Sequence, residues 1–116
     1  MKQYDSYLIF GCHFPRKAIE IIESNSSIRF FNKKIKELYN CEIIEAIVPI
    51  NEKYNIKNYF LKIIVEQSDD SILKVEKIKD IDSSKFLELL DVFELDRIEP
   101  YLISVPFIRD LPNYIQ

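Results

Sequence analysis

From Tyr7 to Phe14 the chain is apolar on both faces that a strand would present, with Leu8, Phe10 and Cys12 on one side and Tyr7, Ile9 and Gly11 on the other. Such a segment predicts a strand buried on both faces. Pro15 then suits a strand exit, and Ala18, Ile19 and Ile22 take up helical spacing. Ser24-Asn25-Ser26-Ser27 interrupts that helix with side chains that compete for backbone hydrogen bonds, and Ser26 or Ser27 is positioned to cap a second helix. Ile28, Phe31, Ile35 and Leu38 form the apolar stripe of this second helix, and Asn40 is its expected stop.

Cys41 to Pro49, rich in Ile and Val, predicts the next strand, closed where Pro49 lacks a ladder donor. Residues 51 to 58 read as a polar loop. Tyr59 to Gln67 predicts a strand with Leu61, Ile63 and Val65 on one face and Phe60, Lys62, Ile64 and Glu66 on the other. Ser68-Asp69-Asp70-Ser71 has turn chemistry, so residues 72 to 78 are expected to return as an antiparallel companion. Asp82 or Ser83 caps a helix whose stripe is Phe86, Leu89, Leu90 and Phe93, and Tyr101 to Phe107 supplies the last strand.

The order is β-α(broken)-β-β-β-α-β. It predicts an α+β fold of ferredoxin-like (split β-α-β) type, an antiparallel sheet with its helices packed on one face and a hairpin extension at 72 to 78. At 116 residues without an internal repeat or a Pro/Gly/Ser linker, the chain is expected to form a single domain over residues 1–116. In this geometry strands one and two run parallel, with Cys12 near the end of one and Cys41 near the start of the other. The thiols are then about 20 Å apart, too far for a disulfide.

Composition narrows the function classes. Twenty Ile, twelve Lys against four Arg, and two Ala suggest codons from an AT-rich genome. The single glycine, Gly11, excludes the Gly-rich phosphate cradles of the dinucleotide and P-loop fingerprints. Two widely spaced cysteines fit free thiols in a reducing compartment. No apolar run approaches the roughly 20 residues of a membrane-spanning helix, and Met1 to Asp5 lead into a strand without a signal core. A cytoplasmic location is therefore expected, the host cytoplasm in the case of a viral protein, with no membrane contact.

Charge divides unevenly: residues 1 to 62 carry 10 basic and 7 acidic side chains, residues 63 to 116 carry 6 and 12. Glu88, Asp91, Glu94, Asp96 and Glu99 gather the acidic excess and are the expected partner-binding patch. Cys12 and His13 bring a thiol and an imidazole together and mark an alternative pocket. As strand neighbours they point to opposite faces, so they do not make a nucleophile and base. With Cys41 they also lack zinc-ligand spacing, so neither a metal nor another cofactor is expected. Asp69 with Asp70, Asp80 with Asp82, and Ser26, Ser27, Ser83 and Ser84 read as turns and caps.

Nucleic-acid contact would require Tyr59 and Phe60 as stacking rings and Arg29, Lys33, Lys34 and Lys36 on phosphates. The segment from Asn58 to Val65 lacks the glycines and most of the rings of an RNA-recognition sheet, and a net charge of -3 repels phosphate, so nucleic acid is not an expected partner.

Apolar strands with helices on one side only leave a face to be covered, either by residues 107 to 116, with Leu111, Tyr114 and Ile115, or by another molecule. The leading expectation is a small non-enzymatic protein-interaction module that binds and occludes a partner. Its expected type is an inhibitor or immunity protein or a viral accessory or assembly protein, and it is expected to bind a protein or to self-associate as a homodimer. The alternatives are a small-ligand binder or enzyme with a pocket near Cys12 and His13, and an RNA-binding sheet.

Overall fold

A computed structural model describes residues 2–49, 55–65, 78 and 80–110. Its elements are β1 (Lys2–Phe14), α1 (Arg16–Asn25), α2 (Ile28–Tyr39), β2 (Cys41–Pro49), β3 (Asn55–Ile63), α3 (Ser84–Val92) and β4 (Tyr101–Asp110). The fold is α+β. One antiparallel sheet has the order β2-β3-β1-β4, which places β3 between β1 and β2 as a split β-α-β unit requires. The crossover from β1 to β2 departs from the simplest ferredoxin-like pattern by carrying two helices. Ser27 explains the break, because its hydroxyl accepts the Phe30 N–H at 3.1 Å and starts α2 afresh. Asn40 ends α2 in the left-handed region at φ 54°, where a short amide side chain is tolerated.

Four strand boundaries differ from expectation, one of them the end of β3, which stops at Ile63 where a strand to Gln67 was expected. β1 begins at Lys2 because β4 pairs with it from there, and β4 correspondingly extends to Asp110. β3 begins at Asn55 instead of Tyr59, because Pro49 pairs with Asn55 and the ladder draws the polar residues 55 to 58 into the sheet. The companion strand expected at 72 to 78 lies outside the described residues except for Ile78.

The main core lies between the helices and the sheet. Cys12 and Phe14 of β1, Cys41 and Ile43 of β2, and Tyr59, Leu61 and Ile63 of β3 meet Ala18, Ile19 and Ile22 of α1, Ile35 of α2, and Phe86, Leu89 and Leu90 of α3. Phe93 joins the layers, edge-on to Phe14 at 5.3 Å and to Phe31 at 5.7 Å between centroids.

The opposite face of the sheet holds a second cluster, Ile9, Ala46 and Val105, all buried, with Ile44, Phe60 and Ile103 against it. The sheet itself brings these residues together. β1 pairs with β4 from Lys2 to Gly11 and with β3 from Gly11 to Phe14, so the two ladders share Gly11 alone. There the strand pairs diverge and the sheet curls, bringing Cα atoms of the edge strands β2 and β4 within 8 Å of one another across two intervening strands. Gly11 permits the curl: a Cβ on it would sit 2.7 Å from the Lys62 Cα and closer still to the Leu61 carbonyl oxygen. The sheet's own curvature thus covers part of the face that was expected to be covered either by residues 107 to 116 or by another molecule. Residues 111–116 lie outside the described residues.

Candidate functional site

The acidic set lies on α3 and the turn after it. Glu88, Asp91, Glu94, Asp96 and Glu99 are all exposed. They are not uniformly negative, because Arg97 stands among them and its guanidinium grips Asp91 with two nitrogens, Nε at 3.1 Å from both carboxylate oxygens and Nη2 at 2.7 Å from Oδ2. Hydrogen bonding from Arg97 holds the Asp91 carboxyl below its ordinary range, and Asp91 in turn raises the guanidinium. Glu88 and Glu99 lie close enough to Arg97 to add to that effect, and Glu99 also accepts from the Ser83 hydroxyl at 3.3 Å. Asp91 is thus committed to Arg97, which lies in the same run of sequence.

Glu94 and Asp96 turn the other way. They share a cavity of about 350 Å³ with Cys12, His13 and Lys17, floored by Leu90 and Leu95 and edged by the half-exposed Ile98 and Tyr101. The pocket expected near Cys12 and His13 exists, but the thiol in it is not a reagent. Cys12 is 2% exposed, and burial pushes it up to about 11. His13 is exposed and stacks edge-on to Phe60 at 5.8 Å, on the opposite face from Cys12. Adjacent strand side chains point to opposite faces here, as strand geometry dictates, although both residues line the cavity.

Cys41 is fully buried and is pushed up to about 12, chiefly by burial and further by the nearby Cys12. That proximity corrects the expected 20 Å separation. Cys12 pairs with Leu61, which pairs with Ile43, while Cys41 pairs with Ile63, so the cysteines stand two strands and two residues apart, about 12 Å. β2 starts level with Ile63, just beyond the Gly11–Lys62 end of the β1–β3 contact, and Cys12 lies near that same end. Both thiols are free, still beyond disulfide reach. Among the described residues no three His, Cys, Asp or Glu side chains converge as metal ligands would.

The residues named for nucleic-acid contact do not assemble. Tyr59 is 8% exposed and faces the helix-side core, where burial, then Glu45, push its phenol up, while Phe60 faces the opposite side. Period-two alternation separates them, so they form no common stacking platform. Arg29, Lys33, Lys34 and Lys36 are exposed on α2, with Lys34 lying 4.8 Å from the Phe30 ring centroid and Lys36 3.8 Å from Glu42.

Two features had no counterpart in the sequence reading. Asn32 reaches from α2 to the outer edge of β2, accepting the Ile43 N–H at 2.7 Å and donating to the Ile43 carbonyl at 2.8 Å. A hollow of about 470 Å³ also opens between the helices, walled by Ile21 and Ile22 of α1, Phe31 and Lys34 of α2, and Val92, Phe93 and Glu94 at the end of α3. The interruption of α1 and the left-handed Glu94, at φ 56°, set its two ends.

Over 82 residues, 71% of its length, the chain is 34% identical to a protein named ATP synthase subunit delta from Mycoplasmopsis pulmonis (strain UAB CTIP). It spans slightly under half of that relative, 45% of its length. No protein-family profile matches the chain, and no solved structure matches it. The likeness to a bioenergetic subunit overturns the expected inhibitor, immunity or viral accessory role. It likewise displaces the small-ligand and RNA-binding alternatives, for which the residues around Cys12, His13, Tyr59 and Phe60 provide no assembled chemistry. Among the described residues no helix is long and apolar enough to cross a membrane.

Proposed function

We propose that this chain is a non-catalytic subunit of a multi-protein assembly of the ATP synthase kind, acting as one domain over residues 1–116 through contact with its neighbours. The observation that carries the reading is the 34% identity over 82 residues to a protein whose name makes it a subunit of that machine. The chemistry of the site agrees with it. The two thiols are buried and protonated at neutral pH, the imidazole faces away from them, and the charged side chains lie outside on α3 and the following turn. Free buried thiols also support a reducing compartment such as the cytoplasm.

Glu88, Glu94, Asp96 and Glu99 are the charges we assign to a basic partner surface. Asp91 serves to fix Arg97 and the turn that carries the others. Replacing those four carboxylates by Lys while keeping Asp91 is expected to lower retention in the assembly about tenfold or more, with stronger loss at low salt than at high. Retention unchanged by the four substitutions, at every salt concentration, removes the acidic surface from the interface.

A further inference from the structure

The hollow between the helices has an organisation that the acidic surface lacks. Its floor, Ile22, Phe31 and Phe93, is continuous with the main core. Its walls end in large aliphatic side chains left in water: Ile21 is 53% exposed and Val92 62%, and Phe30 beside them is 52% exposed. Hydrophobic side chains so exposed around a depression are the mark of a surface that closes against another. The ionic side chains lining the hollow have opposite signs on opposite walls, Lys34 on α2 and Glu94 at the end of α3. Glu88, one helical turn before Val92, extends the acidic wall.

A surface with one basic and one acidic wall is complementary to itself. A two-fold axis through the hollow lays the basic wall of one copy over the acidic wall of the other, twice, and drives the projecting Ile21 and Val92 of each copy toward the hollow of its mate. A uniformly charged rim repels its own copy in that arrangement; this rim attracts it. We propose that the free chain forms a symmetric homodimer through the α1–α2–α3 hollow, with Ile21 and Val92 as its apolar anchors and Lys34 set against Glu88 and Glu94 of the second copy. The inference concerns the chain by itself: Glu88 and Glu94, assigned above to a basic partner in the assembly, face the second copy where that partner is absent.

Sedimentation of the purified full-length chain from about 1 to about 100 µM tests it. The wild type is expected to sediment as a dimer within that range. Ile21→Asp with Val92→Asp, at two exposed positions, raises the dissociation constant about 100-fold, with the circular dichroism spectrum unchanged. Two charge variants make the test strict. Lys34→Glu gives two acidic walls, and Glu88→Lys with Glu94→Lys gives two basic ones. Each alone weakens association about tenfold or more, and their equimolar mixture recovers it, because each wall then meets its opposite. A wild type that is monomeric throughout, a dimer indifferent to Ile21 and Val92, or a mixture no better associated than its components overturns the proposal.

Discussion

Gly11 carries more of the architecture than any other single residue. It is the one position where β1 belongs to both of its ladders, and the backbone of β3 occupies the space where a side chain would be. Gly11→Ala is expected to cost about 2 kcal/mol or more, since the obstructing atoms are backbone and cannot move aside as the end of a side chain does. Urea unfolding checks this, and a loss within about 0.5 kcal/mol of zero contradicts the account of the curl. In the sequence Gly11 stood out for being alone, and that solitude excluded phosphate cradles. Its true role was hidden, because close approach of a strand distant in sequence leaves no local pattern. The same limit applied to the cysteines: their separation depends on how far β2 slides along β3, and register is set by tertiary pairing.

At the scale of elements, apolar periodicity carried most of the reading. Ile28, Phe31 and Ile35, and Phe86, Leu89 and Leu90, face the core as their spacing implies, whereas Leu38, the last member of the α2 stripe, is exposed; Ser27 and Asn40 bound α2 as caps. What periodicity does not encode is how an element's edge is finished. β2 is an edge strand, and Asn32 answers Ile43's outward N–H and carbonyl as a neighbouring strand would. In sequence Asn32 is one polar residue within a helix, and nothing local distinguishes it from a solvated one. Asn32→Ala leaves both backbone groups without that partner and is expected to cost about 1 to 3 kcal/mol. Amide hydrogen exchange at Ile43 is the specific readout, and protection there that survives the substitution contradicts the role given to Asn32.

For the molecule as a whole, the sequence held the class of the fold but not the associations. Charge counts suggested a single acidic patch. In space, Arg97 neutralises Asp91, Glu94 and Asp96 line the Cys12 cavity together with Lys17, and Glu94 also lines the inter-helix hollow with Lys34. One charge run is thereby shared among three environments, a division that only the turn after α3 creates. The occlusion role failed for a different reason: apolar strands and missing catalytic motifs describe any protein that works by contact, and they do not distinguish an inhibitor from a structural subunit. The measurement that decides most directly is quantitative mass spectrometry of ATP synthase particles isolated intact from the source cells. The account predicts that this chain is present in fixed stoichiometry to the catalytic subunits and stays with them through gradient sedimentation. Particles that are complete and active without it, with the chain recovered only in the free fractions, contradict the account.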